Sequence, residues 1–283
     1  MKKFLMLVFF VSVTKLFSQE IEINKIEPGN WWQGMKLNKI QLMIYGKNLK
    51  NFKASFDNPK IKIIKTYELE NNDYAFVDIE IPKNISPKTY KLKLQTGKKI
   101  AEFNFPILKR DTVKNRFQGF NQSDIIYLIM PDRFVNGDFT NDSISGYYDS
   151  MQKISHQGRA GGDIQGVINK LDYLKDLGIT SIWLTPVAEN NTFRSYHGYA
   201  ATDFYKVDPR FGTNELYKKF VEAAHKKNLK VILDHVANHC SDDHPWIKNL
   251  PMKNWFNGTL DNHLEANHNK MVFTDVHSDS STI

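Results

Sequence analysis

Cysteine is almost absent from this chain, because only Cys240 among its 283 residues carries a thiol. A single cysteine excludes an internal disulfide, so the fold must depend on its hydrophobic core, on a bound ion, or on both. Low-complexity tracts and blocks of one charge are also absent. The 38 basic residues exceed the 31 acidic residues, but they are scattered and accompany no recognition motif. We therefore expect no nucleic-acid partner.

Long apolar runs are missing after the first twenty residues. The start, MKKFLMLVFFVSVTKLFSQE, has two lysines, an apolar run from Phe4 to Val13, and small or polar residues near Ser18. This pattern is typical of a secretory signal peptide, which we assign to residues 1–19. An uncleaved anchor is the alternative, although Lys15 interrupts the run before it reaches spanning length. We expect an exported, periplasmic protein that has no membrane contact after cleavage.

Residues 20–109 consist of short alternating apolar segments, including IQLMIYG, AFVDIEI and YKLKLQT, separated by Asn, Pro, Gly and Lys. Alternation with a period of two is typical of strands that are buried on one face. Strands at this spacing predict an N-terminal immunoglobulin-like β-sandwich. We interpret the charged segment LKRDTVKNRF that follows as a linker.

Strands and helices alternate in the region from residue 110 to residue 283. DIIYLIM is an apolar run that fits a strand buried on both faces, TSIWLTP is a second buried strand, and LKVILDHV is a third strand. Between them, apolar residues at helical spacing predict helices over 164–177 and 214–227, which Gly178 and Asn228 can end. This order implies parallel strands, either in an open doubly wound sheet or in a (β/α)8 barrel.

Two observations favour the barrel. A Gly-x-Gly-x-x-Gly turn, the phosphate-binding signature of the doubly wound sheet, is missing. Polar residues follow each strand, at the ends where a barrel builds its active site. We predict the first part of a (β/α)8 TIM barrel, truncated after the third strand, because a closed barrel of about 250 residues would continue past Ile283.

Oxygen-bearing side chains cluster in NGDFTND and again in GGD. Together with a main-chain carbonyl at the glycine turn, they supply the hard oxygen donors that calcium prefers. The candidate ligands are Asn136, Asp138, Asn141, Asp142, Gly161 and Asp163. The spacing does not match an EF-hand. A solvated Asn/Asp turn is the ordinary alternative.

An aromatic loop, SYHGYAATDFYKVDPRFG, follows the second predicted strand. His197 and Tyr199 flank a glycine there, where an imidazole and a phenol can point into the barrel mouth. Each can stack on a sugar or form a hydrogen bond with it. Local packing is the alternative, since tyrosine is common in cores and at their rims.

The segment DHVANH places Asp234 at the end of the third strand and His239 five residues later. Zinc binding by His235, His239 and Cys240 is an alternative, but these residues leave a strand and have no companion ligand pair elsewhere. The pattern better fits a carboxylate that orients its neighbours and a histidine that donates to a ligand hydroxyl.

Together these segments resemble the α-amylase family of glycoside hydrolases. DHVANH resembles that family's first conserved region, and YHGYAATDFYKVDPRFGT resembles the segment before it. IIYLIMPDRFVNGD and GGDIQGVINKLDYLKDLGITSIWLTPV resemble the opening of the catalytic barrel. IEPGNWWQGMKLNKIQLMIYGKNL is similar to the N-terminal domain of the cyclomaltodextrinase and neopullulanase branch.

The resemblance implies roles for individual residues. His197, Tyr199 and His239 match residues that line the subsite holding the sugar next to the cleaved bond, and Asp234 matches an invariant aspartate. The calcium ligands of the branch match the six residues already proposed for that ion. Asn238 matches a ligand of a different calcium that this branch often lacks, and we leave it out of the set.

The resemblance also implies hydrolysis of α-glucosidic bonds in α-glucans, maltodextrins or cyclodextrins by a retaining mechanism. It places the nucleophile after a fourth strand and the acid after a fifth, beyond this chain. The alternative is a non-catalytic glucan-binding protein or pseudoenzyme, in which Trp31 and Trp32 form either a sugar platform or a buried anchor of the sandwich. A homodimer whose sandwich completes a neighbour's active site also stays open.

Overall fold

The computed structural model describes residues 20–113, 119–149, 158–258 and 262. The chain divides into two compact units, Met1–Arg110 and Asp111–Ile283. The predicted signal peptide and most of the segment after Gly258 lie outside the described residues, as does part of the predicted linker. Within the described ranges, no helix has the length and apolar character needed to cross a bilayer.

The first unit is built from two four-stranded sheets. One sheet has the order β1-β3-β6-β5 and the other the order β2-β8-β7-β4. The strands are β1 (Glu22–Glu27), β2 (Trp31–Trp32), β3 (Lys39–Lys47), β4 (Lys53–Phe56), β5 (Lys62–Glu68), β6 (Tyr74–Glu80), β7 (Lys88–Thr96) and β8 (Lys99–Leu108). All pairings are antiparallel except that of the short β2 with β8.

Alternation along these strands builds the core of the first unit. In β7, Tyr90, Leu92 and Leu94 are buried while the lysines between them are not. Burial of each large apolar side chain contributes about 1.5–3 kcal/mol. The predicted N-terminal β-sandwich is therefore confirmed. Trp31 packs against this core and donates from Nε1 to the Leu37 carbonyl at 2.9 Å, whereas Trp32 is 39% exposed.

The second unit contains a three-stranded parallel sheet with the order β13-β10-β9. Its elements are β9 (Ile126–Ile129), α1 (Pro131–Phe134), α2 (Ile164–Asn169), α3 (Leu171–Asp176), β10 (Ser181–Leu184), β11 (Ala188–Glu189), β12 (Asp203–Val207), α4 (Asn214–Lys226), β13 (Lys230–Leu233) and α5 (Pro245–Lys248). The three predicted strands form and pair in parallel register, and the helix predicted over 214–227 forms as α4. This unit is the partial barrel that the sequence predicts.

The apolar stripes of the helices pack against one face of this sheet. Val167, Leu174 and Phe220 belong to one buried core, which also contains Ile182 and Leu184 of β10. Gly178 and Asn228 adopt positive φ angles of 87° and 55°, as expected of residues that end helices. These contacts fix the ends of β10 and β13, from which the site is built.

Two predictions about this unit are wrong. The predicted helix over 164–177 is broken at Lys170, where φ is −109° and ψ is 10°, so that α2 and α3 are separate. The run DIIYLIM was expected to be buried on both faces, yet Tyr127 and Leu128 of β9 are 39% and 51% exposed. The reason is that β9 is an edge strand of the described sheet, and the described helices cover only one of its faces.

Candidate functional site

The loops that follow β10 and β13 meet at the carboxyl ends of these strands. The Tyr199 hydroxyl donates to Oδ2 of Asp234 at 2.8 Å, and Nε2 of His239 lies 2.8 Å from the main-chain oxygen of Tyr199. The ring of His197 stacks on that of Tyr199 with a centroid distance of 6.0 Å and an interplanar angle of 20°. The structure therefore brings together all four residues that the sequence analysis proposed for a sugar subsite.

The His197 imidazole has a defined tautomer. Its Nδ1 accepts a hydrogen bond from the Tyr199 main-chain N–H at 2.9 Å, so the neutral ring carries its proton on Nε2. Burial lowers the pKa of His197, and the charge of Arg159, together with that of His239 when this ring is protonated, lowers it further. The ring is therefore a neutral hydrogen-bond donor at neutral pH, and Nε2 has no partner among the described residues.

Tyr199 stays protonated over the physiological range. Burial and the hydrogen bond to Asp234 raise the pKa of its phenol to about 12. A protonated phenol donates its single O–H to Asp234, which leaves the oxygen lone pairs and the ring available to a ligand. Since 36% of Tyr199 is exposed, a ligand can reach it from solvent.

His239 uses both of its ring nitrogens within the protein. Nδ1 lies 3.1 Å from Nδ2 of Asn238, and Nε2 faces the Tyr199 carbonyl. A neutral ring with its proton on Nε2 satisfies both contacts. In this structure His239 joins the two loops, and a ligand hydroxyl would have to share or replace one of these hydrogen bonds.

A buried carboxylate holds the base of the His197 loop. Asp208 is fully buried and accepts from Nε of Arg210 at 2.9 Å and from the Asn190 main-chain N–H at 3.0 Å. Burial alone would raise the pKa of Asp208, but the hydrogen bond from Arg210 and the charge of Arg159 outweigh it and lower the pKa. Asp208 is therefore ionised, and it anchors the point where the loop begins.

The Asn190 side chain forms hydrogen bonds with main-chain groups at both ends of the loop. Its Oδ1 accepts from the Ala200 main-chain N–H at 2.7 Å, and its Nδ2 donates to the Ala188 carbonyl at 2.6 Å. Nη2 of Arg210 also donates to the Asn190 carbonyl at 2.8 Å. The first and last turns of the loop are thus joined by one buried amide.

Gly198 allows the loop to approach the end of β10. Its φ is 87°, and a Cβ built there would lie 2.0 Å from the Pro186 carbonyl oxygen. Both the positive φ and the close approach require glycine at this position. This requirement explains why the residue between His197 and Tyr199 carries no side chain.

The predicted calcium ligands lie between α1 and α2. Nδ2 of Asn136 donates to Oδ1 of Asp142 at 2.6 Å, and Asp163 caps α2 by accepting from the Gly166 N–H at 2.6 Å. Asp163 also accepts from the Asp138 N–H at 2.8 Å. These hydrogen bonds therefore join Asn136 to Asp142 and place Asp163 beside Asp138.

Two oxygens in this loop have no hydrogen-bond partner. Oδ1 of Asn136 and Oδ1 of Asn141 are both buried and unpaired. A buried amide oxygen without a donor or a cation costs about 1–3 kcal/mol, so the pair fits a group that is rich in positive charge. The donor set is therefore chemically suited to a hard cation such as calcium.

Clusters of the usual anionic or soft metal ligands are not found in the ranges that the structure describes. Among the described residues, no three His, Cys, Asp or Glu side chains are grouped so that they could hold a metal ion. The zinc alternative for His235, His239 and Cys240 thus has no geometric support. The three carboxylates among the predicted calcium ligands, Asp138, Asp142 and Asp163, likewise do not form such a group in the described part of the chain.

Several residues of the site escaped the sequence analysis. Trp183, Asn190, Asp208 and Arg210 were not assigned roles, and neither was Arg159, which is 2% exposed and lies with its Nη2 3.4 Å from Asp208. The Asp-Pro-Arg sequence within the aromatic loop carried a signal, since a carboxylate two residues before an arginine can pair with it. Arg159 lies far from that motif in sequence, and no pattern there indicates burial.

Comparison with protein families agrees with this geometry. Residues 128–270 match the family described as the alpha amylase catalytic domain, and residues 25–111 match the cyclomaltodextrinase N-terminal family. The first match covers most of the parallel sheet and the loops that form the site, and the second covers most of the sandwich.

The similarity to individual relatives covers only part of this chain and a smaller part of each relative. A beta/alpha-amylase from Paenibacillus polymyxa is 48% identical over 122 residues, which is 42% of this chain and 10% of the relative. A cyclomaltodextrinase from Thermoanaerobacter pseudethanolicus is 43% identical over 119 residues, which is 42% of this chain and 20% of the relative. The chain thus spans a fifth or less of these two relatives.

One solved structure is similar to part of this chain. The α-amylase from Geobacillus thermoleovorans in complex with acarbose is 46% identical, covers 47% of this chain and 27% of that chain, and has a TM-score of 0.41. The family matches, which together include the sandwich and the barrel strands, settle the classification. The chain belongs to the α-amylase family of glycoside hydrolases and carries the N-terminal domain of the cyclomaltodextrinases.

Proposed function

We propose that the protein hydrolyses α-glucosidic bonds in α-glucans, maltodextrins or cyclodextrins with retention of configuration. The observation that supports this proposal is the meeting of His197, Tyr199 and Asp234 at the ends of two parallel strands in a chain of the α-amylase family. Barrel enzymes build their active sites at this end of the sheet.

The residues present supply binding and orientation. The Nε2–H of neutral His197 can donate to a sugar hydroxyl, and the ring of Tyr199 offers an aromatic face to the apolar side of a pyranose. Oδ1 of Asp234 has no hydrogen bond in the described part of the chain and can accept from another hydroxyl. These three groups form a small polar subsite with one aromatic wall.

The catalytic pair is proposed to come from sequence that follows the third barrel strand. A retaining glycosidase needs two carboxyl groups about 5–5.5 Å apart, one as nucleophile and one as acid. The family resemblance assigns neither role to a residue of this chain. The residues described here would position the sugar next to the bond that this pair cleaves.

We also propose that the loop between α1 and α2 binds calcium through Asn136, Asp138, Asn141, Asp142, Asp163 and the Gly161 carbonyl. The unpaired amide oxygens of Asn136 and Asn141 support this assignment. A bound calcium would neutralise the carboxylates and tie the loop to the N-terminus of α2. It would stabilise the fold next to the site without taking part in the chemistry.

The N-terminal segment supports a proposal about location. Residues 1–19 have the pattern of a signal peptide, so we propose export to the periplasm. N-terminal sequencing of the protein from its host, after separation of periplasm from cytoplasm, tests this point. A periplasmic protein that begins near Glu20 is expected, and a cytoplasmic protein that retains Met1 would contradict the proposal.

Hydrolysis is tested with the protein as its host produces it. Initial rates are measured on β-cyclodextrin, maltoheptaose and pullulan, with cellohexaose as the β-linked control. We expect new reducing ends from at least one α-glucan and none from cellohexaose. Proton NMR of the first product should show the α-anomer, because two successive displacements retain the configuration.

The outcomes separate the alternatives. A β-anomer as first product would contradict the retaining mechanism. Binding of maltoheptaose without any cleavage would favour the non-catalytic glucan-binding protein. Retardation of that protein on immobilised amylose, lost in Trp32→Ala, would then assign the exposed Trp32 as its platform. Sedimentation velocity of the same preparation distinguishes a monomer from the homodimer considered above.

A further inference from the structure

Trp183 lies in β10, on the opposite side of the strand from its neighbours Ile182 and Leu184. Those two neighbours are buried in the core between the sheet and the helices. Trp183 is half-buried and is not among the described side chains that pack against that core. The indole therefore projects from the other face of the sheet, and packing in this core does not account for it.

The indole contacts the candidate site directly. Nε1 of Trp183 donates to Oδ2 of Asp234 at 3.1 Å, and the Tyr199 hydroxyl donates to the same oxygen at 2.8 Å. The two donors come from β10 and from the loop after it, whereas Asp234 follows β13. One carboxylate oxygen thus connects three segments of the chain by hydrogen bonds.

This arrangement leaves the two oxygens of Asp234 in different situations. Oδ2 already accepts two hydrogen bonds, and hydrogen bonds to an ionised carboxylate are stronger than those between neutral groups. Two donors at fixed positions also restrict rotation of the carboxylate. Oδ1 is then held in one direction instead of exchanging places with Oδ2.

We propose that Trp183 is a positioning residue of this site, whose indole N–H fixes the Asp234 carboxylate and through it the Tyr199 phenol. The inference rests on the proposed function, because it assigns the fixed carboxylate to the orientation of a sugar. The indole does not itself contact the substrate. Its contribution is the N–H, which phenylalanine lacks, and not the aromatic ring, which phenylalanine keeps in part.

The substitution Trp183→Phe tests this contribution with little loss of packing. Trp246→Phe is the matched control, because Trp246 is also half-buried and its ring contacts His244 and Trp255 without a hydrogen bond to Asp234 in the described part of the chain. The first measurement needs no ligand. In spectra of the full chain labelled with 15N-tryptophan, each variant assigns one indole N–H resonance. We expect Asp234→Asn to shift the Trp183 resonance and to speed its exchange with solvent.

The second measurement is calorimetric titration of the full chain with acarbose. Loss of one hydrogen bond to a charged group predicts that Trp183→Phe weakens binding about tenfold. Trp246→Phe should bind within about twofold of wild type. Because Trp183 and Tyr199 act on the same oxygen, the effects of Trp183→Phe and Tyr199→Phe should be non-additive in the double variant.

The two measurements distinguish failure of the inference from failure of the proposed function. A Trp183 indole resonance that Asp234→Asn leaves unchanged overturns the inference. Wild-type affinity in Trp183→Phe, beside weakened binding in Tyr199→Phe, also overturns it. If the wild-type protein binds no acarbose and cleaves no α-glucan, the proposed function is contradicted. The assignment of Asp234 to sugar orientation then fails too, even if Asp234→Asn shifts the Trp183 indole resonance.

Discussion

Nε2 of His239 lies 2.8 Å from the main-chain oxygen of Tyr199, forty positions earlier in the chain. This contact joins the loop after β13 to the loop after β10. The two loops of the proposed subsite are therefore joined by a hydrogen bond. A substitution that displaces one loop should also displace the other. The predictions below follow from the contacts that hold these loops together.

Replacing Gly198 by alanine should disrupt the site. A Cβ there would lie 2.0 Å from the Pro186 carbonyl oxygen, and φ is 87°. We expect Gly198→Ala to lower stability by more than the ~1–2 kcal/mol of a left-handed alanine, because the loop must also move. Acarbose binding, measured by calorimetry, should weaken at least about tenfold because the movement displaces His197 and Tyr199.

Gly178 provides the control for backbone strain. Its φ is also 87°, but a Cβ there would meet nothing within 4 Å. Gly178→Ala should lower stability by the ~1–2 kcal/mol of a left-handed alanine. It should leave the affinity for acarbose unchanged. Equal effects of the two substitutions on binding would contradict the close approach of Gly198 to β10.

Removal of the charge on Asp208 should be strongly destabilising. Asp208→Asn would leave the buried guanidinium of Arg210 without its carboxylate and that of Arg159 with the more distant Asp132, at 4.0 Å. Breaking a buried ion pair in this way costs about 3–5 kcal/mol, which urea unfolding can measure. Asp172→Asn, which removes the exposed ion pair with Lys227, should leave the unfolding midpoint nearly unchanged. A similarly small effect of Asp208→Asn would show that the network does not hold the loop.

Acid should destabilise the protein partly through His197. Because burial and the charges of Arg159 and His239 lower the pKa of this ring, the folded state binds its proton less readily than the unfolded state does. The resulting stability is fully present above the unfolded pKa of about 6.5 and is lost as the pH falls through the folded pKa.

The variant His197→Asn isolates this contribution. An asparagine side chain can still accept the Tyr199 N–H but does not titrate. Melting temperatures of both proteins are measured between about pH 5 and pH 8, the range that spans the histidine titration. The wild type should lose more stability on acidification than the variant. Parallel curves would mean that His197 titrates as it does in the unfolded chain.

Calcium should stabilise the protein, and Asn141 should be required for the effect. At a concentration one hundred times its Kd, an ion bound only to the folded state adds about 2.7 kcal/mol. We expect thermal unfolding to shift upward with calcium relative to EDTA, and less with magnesium, which demands a stricter geometry.

Asn141→Leu tests the assignment of the ligand. This change removes an unpaired buried oxygen but also the side-chain hydrogen bond to Asp163, so the stability of the variant in EDTA is measured first, as its own baseline for the calcium response. The variant should no longer respond to calcium. A full calcium response in Asn141→Leu would exclude its side chain as a ligand, and no response in the wild type would refute the site.

Patterns that arise from burial were readable in the sequence. The alternation of Tyr90, Leu92 and Leu94 marked a sandwich strand, and the spacing of Val167 and Leu174 marked a helical stripe. Such patterns depend on one buried face per element, which the sequence shows directly. The break at Lys170 was not visible, because both halves of the helix continue the same apolar stripe.

The residues that hold the site were harder to find, since their partners lie in other segments. Asp208 pairs with Arg159 across 49 positions, and Trp183 donates to Asp234 across 51. A buried ion pair or a single indole hydrogen bond leaves no periodic signal. His197, Tyr199, Asp234 and His239 were identified because they follow predicted strands within motifs that resemble a known family.

The most direct test of the account is the kcat/KM of the host-produced protein on maltoheptaose, compared between wild type, His239→Ala and His225→Ala. His225 lies on the exposed side of α4 and serves as the control. A subsite that His239 holds together predicts a loss of more than about tenfold for His239→Ala and wild-type activity for His225→Ala. A loss below about tenfold in His239→Ala would contradict the proposed sugar subsite.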